Sequence, residues 1–203
     1  MSSFFDNKKI LGYAFIVVGL ILLIDAIFTV VLGFVDVSDD LKENIKNWMP
    51  YCVVGGVGSL ICAALYTMFA FKVFNGTYDA KIVILEQYVR IVGLTTILGA
   101  IFNGAAVVAG GEDLGVGIAA AIFGAIVGLI IIFISTKIND GKQTVGDKII
   151  WIILLIAFVL LLIFGALSIF SLISIIDGIA HVLIALFMIA FLFDPEVKSQ
   201  MNM

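Results

Sequence analysis

One histidine, two cysteines and two prolines are all that 203 residues supply of those three types. A structural zinc site takes four ligands, and a lone imidazole with two separated thiols cannot build one. No paired glutamates, no H-E-x-x-H run and no serine in a nucleophile elbow occur. No catalytic, cofactor-binding or metal-ligating residue is therefore assigned, and the chain is expected to be no enzyme and to need no cofactor. Cys52 and Cys62 stand ten positions apart on one expected helix. That is roughly 15 Å along the axis, too far for a disulfide, so they read as small packing residues. Gly115-Val116-Gly117-Ile118-Ala119-Ala120 fits the letters of a dinucleotide fingerprint. That fingerprint needs a strand before it, and here the run opens an apolar helix, so nucleotide binding is set aside.

Charge is scarce too. Asp, Glu, Lys and Arg together make 13% of the chain, and the net charge of −4 resides in short loops. This leaves neither a nucleic-acid-binding face nor a polybasic membrane tether. Acids gather in 36–43 and at Glu112 and Asp113, which reads as a solvated edge.

What is present is apolar surface: a hydrophobic fraction of 63% and a mean hydropathy of +1.26. Ordinary soluble domains are about half apolar, so a soluble fold is excluded. Five runs are almost wholly apolar, at 10–35, 49–74, 91–110, 114–138 and 149–193. Each of the first four suits one helix across about 30 Å of hydrocarbon. The fifth has no Lys or Arg and must fold back once. The expected fold is all-α: one polytopic membrane domain over 1–203, with six transmembrane helices near 10–35, 49–74, 88–110, 114–138, 149–168 and 172–193.

Basic residues set the expected orientation. With the N-terminus inside, Lys8, Lys9, Lys72, Lys81, Arg90, Lys137, Lys142, Lys148 and Lys198 fall on the cytoplasmic side, and only Lys42 and Lys46 fall outside. The positive-inside rule then puts the chain in the cell (cytoplasmic) membrane with both termini cytoplasmic. The first run is too long for a signal-peptide core and contains Asp25, so it should stay as a signal-anchor helix. Asn75-Gly76-Thr77 fits the glycosylation pattern but falls inside, where it should be silent.

Local signals sharpen the elements. Gly12, Gly19, Ala26 and Gly33 recur every seven residues, a smooth seam for close packing in lipid. Gly55, Ser59 and Ala63 make a second small ladder, and Gly111, Gly115, Gly124 and Gly128 a third. These Gly/Ser-rich faces could equally serve a homo-oligomer or a membrane-complex partner; besides those, the bilayer is the one expected partner. In 36–49, Asp40 and Glu43 form a capping box ahead of Leu41, Ile45 and Trp48, predicting a short interfacial helix. Glu86 and Arg90 can pair at i, i+4. Asn139-Asp140-Gly141 stops the fourth helix, Asp147 can cap the fifth, and Asp194-Pro195 ends the sixth. Trp48 with Tyr51 outside, and Trp151 inside, suit the aromatic belts. Gly165 and the serines at 168, 171 and 174 mark the reversal of the last run, in preference to a turn at Asp177-Gly178.

Aligning 20–34 with 172–186 matches Leu20/Leu172, Ile21/Ile173, Ile24/Ile176, Asp25/Asp177, Ile27/Ile179 and Val30/Val182. The two helices run in opposite directions, which raises an inverted repeat of the kind that builds transporters.

The groups that do not belong in hydrocarbon carry the chemistry. Asp25 and Asp177 are the acids inside the apolar runs, and His181 stands one turn after Asp177. An acid at mid-membrane costs roughly 2.5–3.5 kcal/mol, so each needs a partner, water or a proton. Counting helical rise puts Asp25, Ser59, Asn103, Asp177 and His181 at similar height, about 18–24 Å from the inner ends. They are expected to form one polar layer, a candidate proton, ion or solute site. The plainer alternative has Asp177 capping the last helix with Gly178 easing the turn, and His181 bonded to a backbone carbonyl.

Ile175-Ile176-Asp177-Gly178-Ile179 resembles the last helix of the HdeD-like six-helix membrane proteins associated with acid resistance, whose chain length and helix count also fit. The resemblance covers about a dozen residues and brings neither a function nor a site to this chain. Two function classes follow from the residues themselves. One is a non-catalytic structural or accessory membrane component, a complex subunit or an envelope-stress protein. The other is a small proton-linked, cation or solute transporter, or a solute-binding module, using the Asp/His set. An exposed glycine-rich face would favour the first, and a wet cavity lined by Asp25, Asp177 and His181 the second.

Overall fold

The computed structural model describes residues 4–38, 42, 45–141, 144–171 and 174–203, apart from the side chains of Phe4 and Lys8. Six long helices make up the chain: α1 (Lys8–Leu32), α2 (Trp48–Phe74), α3 (Lys81–Ala109), α4 (Leu114–Ile138), α5 (Val145–Ser168) and α6 (Ile175–Leu192). A short α7 (Pro195–Gln200) follows, and a 3-10 turn at Phe4–Asp6 precedes α1. No strand occurs among the described residues. All six long helices are long and apolar enough to cross a membrane, the make-up of a multi-pass membrane protein. Their outer faces carry exposed side chains such as Phe123, Phe133, Phe164 and Leu129, as a lipid-facing surface would.

Neighbours pack as α4–α3–α2–α1–α6–α5, and a light contact between α4 and α5 closes the row into a ring. Adjacent helices run antiparallel. Gly12 lies against Phe74 while Gly33, at the other end of α1, lies against Cys52. Between them Gly19 meets Thr67, and the Ala26 carbonyl meets Gly56. The seven-residue seam of α1 is thus used along its whole length against α2. Gly93 meets Gly128 across α3 and α4, and Gly165 meets Gly178 across α5 and α6. With no Cβ on either side, backbones approach closely enough for dispersion to hold helices that lipid does not drive together.

One end of the ring is filled and locked. Phe15 is fully buried and packs its ring on Phe69 at 5.0 Å, Phe187 at 5.1 Å and Tyr88 at 6.0 Å. Beyond this aromatic plug, Lys81 Nζ donates to Asp6 at 2.6 Å and to both Asp194 oxygens at 3.0 Å, tying α3 to the N-terminal turn and to α7. Glu196 stands 3.5 Å away.

Several boundaries differ from expectation. Lys81 opens α3, two turns earlier than 88, because its ammonium finds carboxylates at the bundle end and Arg90 pairs with Glu86 at 2.8 Å. Val145, not 149, opens α5: Thr144 and Asp147 form a reciprocal capping box, so Thr144 is the cap and Asp147 its partner. Gly33 stops α1 before 35. Between α5 and α6 the reversal falls at 169–174, as the serines suggested, and α6 starts at Ile175; residue 172, the expected start, lies outside the described residues. Trp151 is buried, donating to the Leu192 carbonyl at 3.0 Å, and belongs to the core instead of an aromatic belt. The expected interfacial helix centres on Asp40, Leu41 and Glu43, which lie outside the described residues.

The inverted repeat does not survive the geometry. A two-fold operation would set Asp25 and Asp177 equally far from the starts of their helices. Asp177 is in the first turn of α6, whereas Asp25 is in the C-terminal half of α1.

Candidate functional site

Away from the aromatic plug the ring is not filled. A cavity of about 780 Å³ runs from Tyr66 and Tyr88 up to the loops at Ile45 and Ser171. Its walls come from α1, α2, α3 and α6, with Leu161 of α5. All five residues of the expected polar layer lie on that wall: Asp25 from α1, Ser59 from α2, Asn103 from α3, Asp177 and His181 from α6. Five side chains from four helices thus border one cavity.

The centre of the set is α6. Asp177 is in its first turn, and His181 follows one turn later. His181 Nδ1 lies 3.0 Å from Asp177 Oδ2 and 3.0 Å from the Asp177 carbonyl. Both are acceptors, so the proton of a neutral imidazole sits on Nδ1. Nε2 then faces the remaining space with a lone pair, or donates when the ring is charged. The plainer reading is half met: His181 does bond a backbone carbonyl, but Asp177 does not cap. The cap position is Ser174, which makes no side-chain cap bond, and Gly178 is helical and packs on Gly165.

Across the cavity, Asp25 is about nine-tenths buried, and its Oδ1 has no hydrogen-bond partner among the described residues. Thr29 does not supply one, because its hydroxyl donates back to the Asp25 carbonyl oxygen at 3.0 Å. Asp25 stands close enough to Asp177 and His181 to feel the charge of both. Tyr66 repeats the pattern at the cavity floor, with a buried hydroxyl that no described group partners. A buried acceptor left unpaired costs about 1–3 kcal/mol, more when charged, so such atoms point to something that enters from the cavity.

No family model, no curated protein and no solved structure matches this chain. The site must speak through its own chemistry.

Residues outside the expected layer also reach the cavity. Tyr66 and Tyr88 floor it, Trp48 and Tyr51 stand near its mouth stacked at 6.3 Å, and Thr95 and Thr96 line the α3 wall. A tyrosine in the middle of an apolar run was the available signal, since its hydroxyl must find a partner or a wet space. The cysteines were read as packing residues, yet both free thiols are on the cavity wall, with Cys62 Sγ 3.6 Å from the Thr95 carbonyl. Trp48 anchors the mouth by donating Nε1–H to the Leu32 carbonyl at 2.8 Å. No Lys or Arg lines the cavity among the described residues.

Proposed function

We propose that this chain is a small, non-catalytic multi-pass protein of the cell membrane that takes a small solute into the cavity between α1, α2, α3 and α6. It acts as a small transporter or solute-binding module. The observation that carries this reading is the convergence of Asp25, Ser59, Asn103, Asp177 and His181 on one cavity, with Asp25 Oδ1 left for a guest to satisfy. Pockets of roughly 300–1,000 Å³ with apolar walls and a few placed polar groups are the ordinary form of small-molecule sites. A structural or accessory role rests on small-residue faces free for a partner. Gly12, Gly19, Gly56, Gly93, Gly128 and Gly178 instead meet helices of this same chain. Gly99, a helical glycine with nothing within 4 Å, faces the cavity.

Both termini are proposed to be cytoplasmic. Lys9, Lys72, Lys81, Lys137, Lys148 and Lys198 gather at the plugged end, which the positive-inside rule assigns to the cytoplasm. The cavity then lies in the outer half of the bundle.

Native Cys62 tests the cavity directly. In a Cys52→Ser background, a charged, water-soluble methanethiosulfonate should modify Cys62 in folded protein, read as a mass increase. A thiol that reacts only after denaturation means that polar solutes do not enter, and the reading fails.

A further inference from the structure

We infer that the guest of this cavity is a small organic ammonium ion, a protonated amine carrying an apolar or aromatic body. This rests on the proposed solute-binding role and names its ligand class.

Charge decides the sign of the guest. Two carboxylates, Asp25 and Asp177, stand on the wall, and no Lys or Arg does among the described residues. The one group able to turn positive, His181, is already engaged through Nδ1 by the Asp177 carboxylate. Asp25 carries the other carboxylate, reached by the Asp177 backbone N–H but with one oxygen, Oδ1, left open. It is buried, its Oδ1 is unpartnered, and the acceptor it presents calls for an N–H donor. An ammonium meets an ionised carboxylate with a charge-assisted hydrogen bond, stronger than a neutral one.

Size and lining decide between an inorganic and an organic cation. A bare metal ion needs several ligands converging within a few ångströms. No group of three or more His, Cys, Asp and Glu stands in that arrangement among the described residues. A space of about 780 Å³ is far larger than an ion, and its largely apolar wall includes five aromatic rings. Tyr66, Tyr88, Trp48 and Phe102 supply ring surface at the floor and sides. Aromatic faces attract cations and accommodate an apolar body at once. Tyr66 Oη, also unpartnered, is a second group able to meet the guest's polar end.

The test uses the full-length protein in mild detergent and isothermal titration calorimetry against empty micelles. Three probes share one body: phenethylammonium, the neutral phenethyl alcohol, and hydrocinnamate. The expected result is that phenethylammonium binds about tenfold or more tightly than the alcohol, that hydrocinnamate does not bind, and that Asp25→Asn abolishes the preference for the amine. Equal binding of amine and alcohol, or tightest binding of hydrocinnamate, overturns the cation while leaving a solute cavity. Binding of none of the three, with Cys62 also closed to reagent, overturns the cavity reading with it. Should Asp25→Asn fail to fold, the order of the three probes on the wild-type protein decides alone.

Discussion

Gly178 and Gly99 receive the same substitution in one experiment, and the structure assigns them opposite outcomes. In Gly178→Ala the new methyl would fall 2.7 Å from the Gly165 carbonyl oxygen and 2.8 Å from the Ile169 amide nitrogen, both backbone atoms. Ordinary contact begins near 3.4 Å, so α5 and α6 must part by about 0.7 Å along their closest approach. Overpacking of this kind costs about 1–3 kcal/mol. Alanine's better helix propensity returns about 0.5–1 kcal/mol, leaving a net loss of up to about 2.5 kcal/mol, centred on about 1.3 kcal/mol. In Gly99→Ala the methyl meets nothing within 4 Å, so only the propensity gain applies. The assay is reversible unfolding by dodecyl sulfate in mixed micelles, followed by far-ultraviolet circular dichroism. Gly178→Ala should shift the folding equilibrium about tenfold towards the unfolded state, and Gly99→Ala should hold or gain stability. Because Gly178 lies between Asp177 and His181 on α6, its variant should also weaken ligand binding. The reasoning fails if Gly178→Ala is as stable as wild type, or if Gly99→Ala loses as much.

Lys81→Met removes the ammonium from the Asp194 carboxylate, whose side chain is 0% exposed and keeps its bond from the Glu196 amide, and should cost about 3 kcal/mol in the same unfolding assay. Asp6→Asn, at a side chain 45% exposed, should cost under about 1 kcal/mol. Thr144→Ala removes the capping box of α5 and should cost about 0.5–2 kcal/mol, read by the same titration. For orientation, in a cysteine-free background on intact cells, a membrane-impermeant maleimide should label Glu112→Cys at once and Ser199→Cys only after permeabilisation. The reverse pattern would invert the proposed topology.

The helices were legible because length and hydropathy are dictated by the bilayer, and the α1 seam because a seven-residue recurrence of small residues has one physical use. That five chosen residues border one cavity has a related reason. In straight antiparallel helices height is proportional to residue count, so Asp25, Ser59, Asn103, Asp177 and His181 could be levelled without knowing a single contact. What counting along an axis does not give is rotation about it. Tyr66, Tyr88 and Cys62 were missed because the sequence fixes their height but not which way they turn. The ends of α3 and α5 were missed for another reason. Lys81 looks like a loop residue until Asp6 and Asp194, distant in the chain, arrive to hold it. The likeness of 20–34 to 172–186 misled because Ile, Leu and Val fill both segments, and matching letters there say little about symmetry.

The energetics of the cavity bear on what the bundle is for. The space of about 780 Å³ is open to its surroundings and lined by polar as well as apolar groups, so it is a cleft that solvent can fill and not a sealed void. A bundle held by packing alone gains dispersion energy by filling such a space. Its other half shows how: Phe15, Phe69, Tyr88 and Phe187 close the plugged end ring against ring. The same helices turn Asp25, Ser59 and Asn103 towards the cavity at the open end. Polar walls make the space habitable to water, and water is what an entering solute displaces. Asp25 Oδ1, with no partner among the described residues, is the atom at which the proposed guest would complete an interaction.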